Sequence, residues 1–170
     1  MTKFFQLSIF SLFLFAQNSF AQDTTSSINE SWANLKTQLQ RKTHIANDLV
    51  ASLSKSQKVD KEQLNNLKSF AVELFKYVDT LTHKDSLSIS LANDKNDRLT
   101  QAIAKILVSV ENNDKFKGNK EVIGFIMQLE GCENRIAIAK MEYNKLCKEY
   151  GRSDLFFGND NVDKGQEVKF

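Results

Sequence analysis

The sequence predicts an all-α fold, an antiparallel up-down bundle of four long helices. Three observations carry that prediction. The chain of 170 residues has no proline and only 6 glycines, so long helices go uninterrupted. Apolar residues recur at steps of three and four along separate stretches. The breaks between those stretches are short, polar and supplied with capping residues, which makes successive helices antiparallel neighbours.

The length suits one domain with a core of its own. Charged residues at 26% and hydrophobic residues at 41% are an ordinary globular mixture. Lys+Arg 23 against Asp+Glu 21 leaves a net charge of +2, which argues against a nucleic-acid partner.

Residues 1–21 read as an export segment, either a signal peptide or an N-terminal membrane anchor. Lys3 gives a positive start, Phe4–Ala16 an apolar run, and Ser19-Phe20-Ala21 a small-x-small cleavage site. Gln17, Asn18 and Ser19 interrupt the run before it reaches the roughly 20 apolar residues of a spanning helix, which favours cleavage. In both cases Lys3 stays inside and the domain is exported to the periplasm. No cysteine follows the apolar run, which excludes a bacterial lipoprotein. Residues 22–27 are expected to form a polar linker.

The bundle is expected over residues 28–151. The first helix runs to about Gln57 on the stripe Ile28, Trp32, Leu35, Leu39, Ala46, Leu49 and Leu53. Lys42 fills the one gap in that stripe, while Arg41, His44 and Asp48 face outward. Asp60-Lys61-Glu62-Gln63 opens the second helix as a capping box. Its stripe is Leu64, Leu67, Ala71, Leu74, Val78 and Leu81, flanked by Phe70 and Phe75. Between Thr82 and Asp97 three residues, Asp85, Asn93 and Asp94, are each able to start the third helix. That helix is firm from about Arg98 to Asn112 through Leu99, Ile103, Leu107 and Val110, with Glu111 on its apolar side. A turn follows in which Phe116 plugs the core. The fourth helix runs from Asn119 to Gly151, a helix C-cap. The tail, residues 152–170, has Phe156, Phe157, Val168 and Phe170, which favour docking over disorder.

The fourth helix is the most informative. With about 100° per residue, Leu129, Cys147, Val122, Phe125, Ile136 and Tyr143 make one apolar stripe. Glu133, Lys140 and Asn144 fall on it or at its edge, whereas Arg135 and Glu149 face solvent. Polar groups on a core face need partners, because burying them unpaired costs several kcal/mol. The candidate site is therefore a structural polar layer of Lys42, Glu111, Glu133, Lys140, Tyr143 and Asn144. Lys42 is the expected partner of Glu133, and Glu111 is a second carboxylate aimed at the core. Such a layer fixes helix register, as single polar core residues do in coiled coils.

No catalytic, cofactor-binding or metal-binding residue is predicted. Cys132 and Cys147 are about 22 Å apart along one helix, too far to pair with each other, and read as small buried hydrophobes. No Glu-x-x-His pair suggests a di-iron site. His44 and His83 are the only histidines, and Met127 and Met141 fall off the stripe, which disfavours haem. Nothing groups as a nucleophile with its base. Apolar residues beyond the stripe, among them Ile126 and Leu146, are candidates for docking a partner helix.

Trp32, LKTQLQRK over Leu35–Lys42, Leu49-Val50, Glu111, Phe116-Lys117 and LEGCENRIAIAKMEYN over Leu129–Asn144 resemble the LemA family of bacterial envelope-associated proteins. The closing VKF is similar to that family's C-terminus. The sequence departs from the family pattern at Lys42 and His44, where Arg and Asp are usual, and at Asn47 and Asp114, where proline is usual. The family's leading segment usually resembles a retained anchor; here the charge placement and Ser19-Phe20-Ala21 favour cleavage. The resemblance implies a four-helix bundle behind a hydrophobic segment, with no agreed biochemical activity. The expected function is a non-enzymatic envelope scaffold or adaptor, working through envelope or membrane proteins or the membrane itself. The alternative is a soluble periplasmic bundle that binds a small ligand or unfolded clients.

Overall fold

Helix positions follow from apolar spacing and from the residues that satisfy the free backbone groups at each helix end. The computed structural model describes residues 2–55, 59–81 and 85–158; over residues 2–24, and at Lys115 and Lys117, it describes the backbone alone. Helix α1 spans Thr2–Leu53, α2 Lys61–Thr80, α3 Ser86–Glu111, the short α4 Asp114–Lys117 and α5 Lys120–Glu149, followed by a 3-10 turn at Ser153–Leu155. No strand occurs among the described residues.

The caps account for most of these bounds. Asp60 accepts a hydrogen bond from Glu62 N–H at 2.8 Å. The expected capping box is only half made, because Gln63 instead accepts from the Ser109 hydroxyl at 3.0 Å. Asp85 accepts from Ser88 N–H at 2.7 Å, which settles the start of α3 among the three candidates. Asn119 accepts from Glu121 and Val122 N–H at 3.0 and 3.2 Å. At the other end of α5, Gly151 adopts φ 69°, Gly151 N–H donates to Lys148 O and Arg152 N–H to Cys147 O. That pair of bonds is a Schellman motif, and its positive φ favours glycine.

Three differences from the sequence reading stand out. The polar linker expected at residues 22–27 is helical and continuous with α1, since nothing in that run breaks a helix. α1 ends at Leu53, short of Gln57. The turn before α5 contains the one-turn helix α4, whose Phe116 is buried as the expected plug. The expectations for Lys3, Phe4–Ala16, Ser19-Phe20-Ala21, His83, Val168 and Phe170 lie outside the described side chains. Among the described residues, no helix is long and apolar enough to cross a membrane.

Neighbouring helices run antiparallel. Lys36 and Gln40 of α1 reach Asp79 of α2, while the His44 ring meets that of Phe75 edge-on with centroids 5.2 Å apart, so rising numbers meet falling ones. Tyr77 with Ser88 and Glu73 with Lys95 repeat the pattern for α2 and α3. Trp32 with Tyr143 and Lys42 with Glu133 repeat it for α1 and α5. α1 packs on α2 and α5, α2 on α3, and the 3-10 turn on α5 and α3. The predicted stripe residues of α1 are all buried, and they form one core with Leu64, Leu67, Ala71, Leu74 and Val78 of α2.

Candidate functional site

The buried ionic centre is built around Lys42. Its stripe position on α1 drives the side chain into the bundle, where it has no solvent exposure. The ammonium carries three donors, and three acceptors meet it. Asn96 Oδ1 lies at 2.9 Å, Thr100 Oγ1 at 2.6 Å and Glu133 Oε1 at 2.6 Å. Asn96 and Thr100 stand one turn apart on α3, and Glu133 is on α5, so one side chain ties three helices together. The Thr100 hydroxyl donates to Asn96 O at 3.0 Å, which leaves its oxygen free to accept from Lys42.

Glu133 is not buried with its partner: its side chain is 39% exposed. The pair therefore sits at the wall of the bundle, with the cation inside and the carboxylate facing water. Burial pulls the Lys42 pKa below the ordinary lysine value, opposed by the charge and hydrogen bond of Glu133.

The other predicted residues separate from this centre. Tyr143 is fully buried further along α5, with its ring 5.6 Å from Trp32. Burial, together with the neighbouring Cys147 thiol, raises the pKa of the Tyr143 hydroxyl. Asn144 turns to the tail: its Oδ1 accepts from Phe157 N–H at 2.9 Å and its Nδ2 donates to Phe157 O at 3.2 Å. Lys140 is half-buried beside Asn93 and Gly158.

Glu111 does not aim at the core. It is exposed at the last position of α3. Ala102 and Ile106 are buried as well as Leu99, Ile103 and Val110, and they turn the apolar face away from Glu111. The partners that sequence reasoning missed are Asn96 and Thr100. The signal was available: once α3 starts at Asp85, Asn96 falls on the stripe of Ile89, Ala92, Leu99 and Ile103, the same anomaly that singled out Lys42.

Cys132 and Cys147 are free and buried, and the Cys132 thiol donates to Gln38 O at 3.4 Å. Burial raises both thiol pKa values, holding them protonated. Among the described residues, no group of three or more metal-type ligands converges.

Fold and site together define an antiparallel four-helix bundle locked by an off-centre ionic clasp and closed at one end by its own tail. The chain belongs to the LemA family, whose model matches residues 31–159. The match begins just before Trp32 and takes in the clasp, the Trp32–Tyr143 pair and Phe157. No curated protein matches the chain.

Proposed function

We propose that this protein is a non-enzymatic scaffold or adaptor of the cell envelope, working through protein or membrane partners. The observation that supports the reading is the state of Lys42. A lysine that does chemistry needs access to a substrate and a donor or lone pair to spare. Lys42 has no exposure and all three of its donors are engaged. Its lowered pKa is the consequence of a structural burial.

The outer surface supports a binding role. Leu87, Val108, Met127, Ile138 and Met141 are exposed, and methionines suit contact with varied partners. Export rests on Lys3, the apolar run of residues 4–16 and the small residues at 19 and 21.

Crosslinking in the native envelope, followed by identification of the attached proteins, tests the proposal. The expected outcome is a reproducible set of envelope proteins joined to α5 and α3. Recovery of the chain without crosslinked partners would overturn it. N-terminal sequencing of the mature protein locates the cleavage, with Gln22 as the expected first residue.

A further inference from the structure

The segment after α5 is held through both its backbone and two buried side chains. Gly151 reverses the chain, and Arg152–Phe157 folds back against α5 and α3. Leu155 and Phe157 are buried, and the Phe157 ring lies 6.2 Å from Trp32. Leu155 ends the 3-10 turn, and Phe156 follows at φ −58° and ψ 133°. Asn144 then grips both backbone groups of Phe157, the N–H and the carbonyl, with its own amide.

This grip reads the backbone of a single residue, and the Trp32 ring reads an apolar side chain. Neither contact requires the occupant to belong to the same chain. Trp32 Nε1 belongs to the same aromatic cluster, is buried, and makes no hydrogen bond with any described residue. Buried polar groups are usually paired, so the present occupant leaves binding capacity unused. At the far end, Gly158 has φ 86°, and a Cβ there would lie 2.5 Å from Lys140 Nζ and 3.3 Å from Asn93 Oδ1. The strap thus lies between two glycines in the left-handed region, which suit a hinge at one end and a close crossing at the other.

We propose that Trp32, Tyr143 and Asn144 form a berth for a short turn-forming peptide segment with a leucine and a phenylalanine two positions apart. Leu155–Phe157 occupies it in cis, and a partner protein with the same pattern displaces that strap. The inference rests on the adaptor reading and names the chemistry of the partner. Occupation in cis makes the berth self-regulated: the partner binds only the fraction of molecules whose strap has lifted.

The test uses the full-length chain with Phe157→Ala and, as the probe, a synthetic peptide of residues 152–158. Trp32 is the only tryptophan, so its fluorescence reports the berth alone. The peptide is expected to shift the emission of the variant saturably, and to bind wild type about tenfold or more weakly because the strap competes. The same peptide with alanine at the Phe157 position is expected to give no shift. A helical Phe157→Ala chain that ignores the peptide overturns the proposal. If that variant does not fold, hydrogen exchange on the wild-type chain decides. Phe157 N–H exchanging on the order of 100-fold faster than Ile136 N–H supports a lifting strap, and equal rates overturn it. Crosslinked envelope partners without peptide binding sink the berth alone and leave the adaptor reading standing.

Discussion

Lys42 and Glu133 make a 2.6 Å ion pair in which the cation has no solvent exposure and the anion has 39%. The asymmetry sets its energetics. A fully buried pair loses about 3–5 kcal/mol when one partner is removed, and an exposed pair contributes roughly 1 kcal/mol or less. Here the ammonium keeps Asn96 and Thr100, and water reaches the vacated carboxylate site.

Glu133→Ala is therefore expected to destabilise the chain by about 2 kcal/mol, between those limits. Urea unfolding with an unchanged slope measures it. A loss under about 0.5 kcal/mol would mean that the pair contributes nothing beyond a surface contact.

Lys42→Met tests the opposite half of the clasp. It removes a buried charge but strands Asn96 Oδ1, and an unsatisfied buried acceptor costs about 1–3 kcal/mol. Adding Asn96→Leu is expected to recover most of that loss, because replacing both partners by apolar groups is nearly neutral. Thermal unfolding of the two variants decides. A double variant no more stable than Lys42→Met alone would contradict the assigned contact.

The thiols supply a pH dependence. Burial raises Cys132 and Cys147 above the usual value of 9.0, so the folded chain holds protons that the unfolded chain releases. The sign follows: their contribution is fully present below pH 9 and falls as pH rises into the alkaline range. Stability from urea curves is expected to drop above about pH 9 more steeply in wild type than in a Cys132→Ala, Cys147→Ala chain. At about pH 8 a thiol reagent is expected to label either cysteine only as fast as the chain opens; rapid labelling of the folded protein would contradict their burial.

Two glycines of the α5 region should respond oppositely to alanine. Gly124 lies inside the helix, and the methyl of an alanine there would meet no atom within 4 Å. Gly124→Ala is expected to stabilise the chain by about 0.5–1 kcal/mol. Gly151 has φ 69° in the Schellman turn, so Gly151→Ala is expected to destabilise by about 1 kcal/mol. Paired thermal melts check both signs.

Much of this architecture was legible because helical periodicity is a local property of the chain. The α1 stripe pointed to Lys42 through a gap of one residue, and the α5 stripe pointed to Glu133 in the same way. Their meeting followed from the antiparallel order of the helices. Glu111 misled because a helix taken to start near Arg98 has too few residues to fix its apolar face. Asn96 and Thr100 were missed for the same reason. The strap was the least legible part: Asn144 holds Phe157 through backbone groups, and backbone groups leave no sequence pattern.

The central claim is that Lys42 is a structural cation and not a reactive amine. Acylation of the folded chain with an amine reagent at about pH 8, read lysine by lysine by mass spectrometry, tests it most directly. A lysine of lowered pKa that was open to solvent would react faster than its neighbours. The account predicts that exposed lysines such as Lys61, Lys105 and Lys148 are modified while Lys42 stays unmodified until the chain unfolds. Modification of Lys42 in the folded protein as fast as at those positions would contradict it.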